Sequence, residues 1–204
     1  MLQRRPITGF FLKLTLLYGL LLVPWPGLST AYLGCLHWAG NHLYGSFGSN
    51  GLVHLDVAPE GMGQWNTLVM LMNQSSGVRA GLLYQSRQDY LATALVLSLI
   101  LATPIPWKRR WKALLWGLLA IHGFVAFRLL IWLIDVFSGD NTLAIFTLSQ
   151  AAKSVIHVCA NALLVAPEAT FVVPVPIWIL VTIRRADVRR WREMIESGRN
   201  GGRN

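Results

Sequence analysis

The run ALLWGLLAIHGFVAFRLLIWLIDVF, Ala113 to Phe137, decides how the rest of the chain is read. Its 25 residues are almost wholly apolar, enough helix to cross a hydrocarbon layer of about 30 Å even when tilted. A basic cluster of Lys108, Arg109, Arg110 and Lys112 stands immediately before it. A second apolar run, Tyr90 to Ile105 (YLATALVLSLILATPI), precedes that cluster and ends at Pro104-Ile105-Pro106. Two apolar helices joined by a short basic turn make a spanning hairpin, residues 90–137.

Working outward, Phe10 to Val23 (FFLKLTLLYGLLLV) forms an earlier apolar run behind a basic start with Arg4 and Arg5. It closes at Pro24-Trp25-Pro26-Gly27. Ser29-Thr30-Ala31 matches the small-residue pattern of signal cleavage. The apolar character resumes at once in Leu28 to Leu43, which favours an uncleaved signal anchor over residues 1–27. A last apolar run, Ala166 to Ile183, carries Pro174 and Pro176. Prolines are tolerated in a spanning helix where neighbouring groups satisfy the freed carbonyls.

The composition agrees with lipid as a solvent. The chain of 204 residues is 54% hydrophobic and only 13% charged, against about 25% charged in soluble domains. A net charge of +9 could point to nucleic acid. Most of the Lys and Arg, however, flank apolar runs, including Arg184, Arg185, Arg189 and Arg190 in the tail. Such placement is a topology signal: cytoplasmic loops carry the Lys and Arg. One parity puts every basic cluster on one side, with both termini in the cytoplasm of a bacterial-type inner (plasma) membrane. The expected fold is therefore a mainly α, multi-pass membrane protein with about four spanning helices, the fourth at 168–183, and a basic cytoplasmic tail at 184–204. Lys108, Arg109, Arg110, Lys112 and the tail arginines are read as contacts to membrane lipids, and no nucleic acid is expected.

Residues 28–89 then lie outside as a small α+β cap. Within it Gly51 to Val57 alternates apolar and polar residues, a strand signal. Trp65 to Asn73 and Val78 to Ser86 flank Gln74-Ser75-Ser76-Gly77, a hairpin with a Gly-containing turn. Three short antiparallel strands are expected. Asn141 to Val165 is long enough to span, yet a fifth crossing would place the basic tail outside. Gln150, Lys153, His157 and Asn161 would also face lipid at a cost. Residues 138–167 are read as an interfacial or re-entrant helix.

Arg128 stands near the middle of the long run, where an unpaired guanidinium costs at least about 2.5–3.5 kcal/mol. It needs a partner, a wet crevice or another subunit. Asp135, seven residues on, shares its helical face about 10 Å away, and His122 points to a different side. Cys35 and Cys159 show no metal-ligand spacing and read as inert buried thiols; no metal or cofactor is expected. Cys159 with His157 and Arg128 could supply a nucleophile, a base and a charge-stabilising group. Against that, residues two apart on a helix point about 200° from each other.

Trp65 to Asp135 resembles a known family in several places: Asn66-Thr67-Leu68-Val69, Ser86-Arg87, Tyr90, Leu101-Ala102-Thr103-Pro104, the basic turn, Leu115-Trp116-Gly117-Leu118 and Phe127-Arg128. These are similar to the small membrane proteins associated with exosortases, particularly the exosortase H-associated type. The resemblance implies a non-enzymatic accessory or scaffold role beside an exosortase-like enzyme in an envelope protein-sorting system, with that enzyme or a second copy as partner. Exosortases themselves hold their Cys before Ser or Ala and Gly, whereas here Cys35 sits in Gly-Cys-Leu and Cys159 in Val-Cys-Ala. A thiol transpeptidase or protease acting at the outer face stands as the alternative.

Overall fold

The long apolar run forms a single helix, Trp107–Ser138 (α4), which at 32 residues is about 48 Å long. Everything else is arranged along it. The computed structural model describes residues 6–23, 27–62, 66–164 and 168–183. Two helices, α1 (Pro6–Leu22) and α2 (Leu28–Tyr44), precede four strands: β1 (Ser46–Phe47), β2 (Gly51–Val57), β3 (Thr67–Asn73) and β4 (Arg79–Tyr84). Then follow α3 (Arg87–Ala102), α4, α5 (Gln150–Leu164), α6 (Glu168–Val172) and α7 (Pro174–Thr182).

The lower half of α4 belongs to a helical bundle. Its core is Ala92, Val96 and Ile100 from α3, Ala113 and Ile121 from α4, and Ile177 from α7. Between Leu91 and Ala102 no residue is exposed, because α1, α4 and α7 surround α3. A Cβ on Gly117 would lie 2.6 Å from Ile100 Cδ1, so glycine there lets α3 and α4 approach closely. At the bottom, Trp178 Nε1 donates to Thr103 Oγ1 at 2.7 Å. Arg110 Nη2 donates to the Thr103 and Ile105 carbonyls at 3.1 and 3.2 Å, and Arg109 donates to the Thr182 carbonyl. Two of the four basic-turn residues thus close the C-terminal ends of α3 and α7, where unpaired carbonyls attract cations. Lys108 and Lys112 remain exposed.

The upper half of α4 lies under the sheet. Leu129, Leu133 and Phe137 join Val53, Leu55, Val69, Leu71 and Tyr84 from one sheet face, with Tyr44, Phe47 and Leu143 completing a second core. The sheet is antiparallel in the order β1-β2-β3-β4. β2 occupies the expected Gly51–Val57 and alternates buried and exposed positions along most of its length. The β3–β4 turn is held by Asn73 Oδ1, which accepts from the Ser75 and Ser76 amides at 2.9 and 3.3 Å. Gly77 there takes φ 69°, a conformation that costs glycine little.

The sheet has four strands where three were expected. The extra strand, β1, lies in a Gly/Ser-rich stretch without strand alternation, and there Phe47 is buried and stacks on Phe137 with ring centroids 5.4 Å apart. A larger correction concerns the spans. In place of about four, one helix among the described residues, α4, is long and apolar enough to cross a membrane. α1 and α3 have 17 and 16 residues, short of the roughly 20 needed. The last run is broken at Val173 by Pro174 into α6 and α7, since proline lacks the donor a continuing helix requires.

The stretch 141–165 also differs from the single helix expected. Residues 144–149 form no regular element, and the Ile145 and Phe146 amides donate to the Phe137 carbonyl at 2.8 and 3.1 Å, closing the end of α4. α5 then runs antiparallel beside the upper half of α4, with Lys153 on Asp140 and His157 on Asp135. Farther down the same helix, Arg109 meets Thr182 of α7. α5 is therefore the upper part of a descending arm that α6 and α7 continue. Arg184, Arg185, Arg189, Arg190 and the rest of the tail lie outside the described residues, as do Arg4, Arg5 and the Pro24–Pro26 break.

Candidate functional site

The two cores meet at Arg128, between Val125 below and Leu129 above. Its side chain is 3% exposed and its Nη2 lies 2.9 Å from Asp89 Oδ1, itself 1% exposed. The same nitrogen donates to Tyr84 Oη at 3.0 Å, and Tyr84 Oη donates to Asp89 Oδ2 at 2.8 Å. Asp89 stands in the first turn of α3 and Tyr84 ends β4, so the triangle ties bundle to sheet. Helical side chains lean toward the N-terminus of their helix, which brings the Arg128 head back down toward Asp89. Burial first, and the Asp89 carboxylate second, push the Tyr84 hydroxyl well above its ordinary pKa. It stays protonated and able to donate.

A separate chain of hydroxyls lies beside this triangle, tied to it where the Asp89 amide donates to the Ser86 carbonyl at 3.1 Å. Ser86 Oγ donates to Asn66 Oδ1 at 2.8 Å, Thr67 Oγ1 donates to Ser86 Oγ at 3.1 Å, and His37 Nε2 on α2 lies 3.1 Å from Thr67 Oγ1. Burial lowers the His37 pKa below its ordinary value, the dominant effect there. Thr67 and Ser86 are 0% and 1% exposed. Buried polar groups of this kind are retained where each finds a partner. The arrangement can hold a charge pair without water and transmit position between α2, α3, α4 and the sheet. It offers no exposed nucleophile.

The residues singled out from sequence are dispersed. Arg128 takes Asp89 and not Asp135. Asp135 instead lies 3.2 Å from His157 Nδ1, at the top of α4. His122 is exposed and donates from Nδ1 to the Leu118 carbonyl at 2.9 Å, within its own helix. Cys35 and Cys159 are free and exposed rather than buried. No hydrogen bond or ion pair joins any two of Cys159, His157 and Arg128 among the described residues, and no cluster there could hold a metal ion.

Tyr84, Asp89, Thr67 and Ser86 were not legible as a site. The one usable signal was the demand of Arg128 for an acid on the neighbouring antiparallel helix, which Asp89 at the start of α3 meets.

Fold and site define a mostly helical protein with one four-stranded antiparallel sheet, joined by a buried ionic junction. Compared with known proteins, the chain matches no family model, no curated protein and no solved structure.

Proposed function

We propose that this chain is a multi-pass protein of a bacterial-type inner membrane, with both termini cytoplasmic. In this reading it acts as a non-enzymatic accessory or scaffold subunit, of the kind that accompanies an exosortase-like sorting enzyme. One observation carries the membrane reading. The outward faces of the bundle helices are apolar and uncovered: Leu12 and Leu16 on α1, Leu115 and Leu119 on α4, and Leu180 on α7 are 61–79% exposed. No large apolar side chain of α4 beyond Phe127 is exposed. Water would penalise so large an apolar surface, whereas hydrocarbon accepts it. α1, α3 and the α6–α7 arm cross beside α4 as short spans, which a bilayer tolerates by local thinning.

The accessory role rests on the resemblance over Trp65 to Asp135 and on the far face of the sheet. Met70 and Leu52 there are 45% and 36% exposed, with Leu68, Met72 and Leu83 half-buried beside them. Adaptable methionine-bearing surfaces suit partner docking. This face, and not the internally paired Arg128, is the docking surface in this reading. Co-expression with an exosortase-class enzyme and purification in mild detergent tests it. A stoichiometric complex lost in Met70→Lys supports the reading; a solitary chain under the same conditions removes it.

A thiol enzyme is the second reading, favoured by exposed Cys159 and by the Asp135 carboxylate that orients His157. It requires loss of function on Cys159→Ala, and a fully active Cys159→Ala variant ends it.

A further inference from the structure

A cleft of about 280 Å³ opens where the top of α1 meets the starts of α2 and α3. That is headgroup-sized, at the lower limit of ligand sites. Its apolar side is Leu22, Leu28 and Leu33, and its polar side includes Ser29, Asn66 and Arg87. Among the described residues no carboxylate lines it.

The polar groups present donors. Asn66 spends its carbonyl oxygen on the Ser86 amide and hydroxyl, at 3.1 and 2.8 Å, which leaves its NH2 to donate. Arg87 is exposed and makes no hydrogen bond or ion pair among the described residues. Ser29 lies in the first turn of α2. That helix has Gly27 at its N-cap with φ 84°, no side-chain cap and no acid in its first turn. First-turn amides have no acceptor within a helix and favour anions. An unpaired guanidinium beside an amide NH2, with no acid opposite, selects a phosphate-type oxyanion.

The height of the cleft says what carries that anion. Tyr90 Oη donates to the Leu21 carbonyl at 2.5 Å, so the cleft sits at the upper rim of the exposed apolar girdle. Leu22 and Val23 there are 41% and 49% exposed. An anion seated at this rim has hydrocarbon-compatible surface directly below it.

We propose that this cleft binds the phosphate of an anionic phospholipid headgroup, with Arg87 and Asn66 as its donors and the acyl chains descending along α1. The lipid as source rests on the membrane placement proposed above; the phosphate chemistry does not.

The test uses the full chain, delipidated in neutral detergent. Native mass spectrometry then titrates three probes: short-chain phosphatidylglycerol, diacylglycerol of the same chain length, and inorganic phosphate. One phosphatidylglycerol per chain is expected, weakened at least about tenfold by Arg87→Gln and unchanged by Arg79→Gln on β4, away from the cleft. Arg87→Gln should keep the parent melting temperature, since Arg87 holds no other group. Diacylglycerol binding equally well, or Arg87→Gln binding like the parent, overturns the proposal. Inorganic phosphate binding as tightly as the lipid, and depending on Arg87, overturns the lipid as source and leaves a free-anion site.

Discussion

The two halves of α4 solve opposite packing problems. Below Arg128 the core is built of small and β-branched residues, Ala92, Val96, Ala113 and Ile121, while the large Leu and Trp side chains point outward. Above it the large side chains, Phe47, Leu133 and Phe137, point inward, and no large apolar side chain of α4 beyond Phe127 is exposed. A water-soluble core must gather its bulk inside, because apolar area left in water is penalised. Helices that associate in lipid gain little from that and pack through small residues instead. The difference teaches that one continuous helix carries two kinds of core, which meet at the Asp89–Arg128–Tyr84 triangle; in the proposed membrane placement they answer to two solvents.

The sharpest way to break this comparison is to open the junction. Arg128→Ala leaves the Asp89 carboxylate buried without its cation, a loss of about 3–5 kcal/mol. The double variant Arg128→Ala, Asp89→Ala should recover part of that in denaturant unfolding in detergent. A double variant as unstable as the single would show that the pair does not act as a unit.

Next in size is a charge placed on either surface. Leu119→Arg on the girdle should cost about 2.5–3.5 kcal/mol of insertion and lower the membrane-extracted yield. Met70→Lys on the sheet face should insert normally. Equal yields would erase the distinction between the two surfaces.

Filling the α3–α4 contact is the third and smaller test. In Gly117→Val the added carbons meet Ile100 and Val96, 2.6 and 3.2 Å from a Cβ. Overpacking of this kind costs about 1–3 kcal/mol, read as a lowered melting temperature, and the cap should keep its strand circular dichroism.

Much of the cap and the long helix was legible in the sequence. Alternation in Gly51–Val57 and the turn residues around Gly77 are local signals, and each has its cause within a few residues. The rest depends on distant neighbours. β1 exists because Phe47 finds Phe137, some ninety positions away. Arg128 chose Asp89 over Asp135 because a buried cation takes the acid that shares its desolvated space, and helical spacing alone says nothing of that space. Among the described residues α4 alone is long and apolar enough to cross a membrane; α3 is a shorter helix enclosed by protein, and the last arm is broken by proline.

The smallest effect concerns pH. Burial holds the folded His37 pKa below its ordinary 6.5, so the unfolded chain binds the proton more readily. Stability is full above about pH 6.5 and declines as pH falls below it. A slight drop in melting temperature on acidification should vanish in His37→Gln.

The central claim is that α4 crosses a membrane with the basic turn inside and the sheet outside. In a Cys35→Ser, Cys159→Ser background, single cysteines at Ser76 and Lys112 can be probed in spheroplasts with a membrane-impermeant maleimide. Ser76→Cys should label in intact spheroplasts and Lys112→Cys only after permeabilisation. Labelling of both positions without permeabilisation, or of Lys112→Cys alone, would contradict the account.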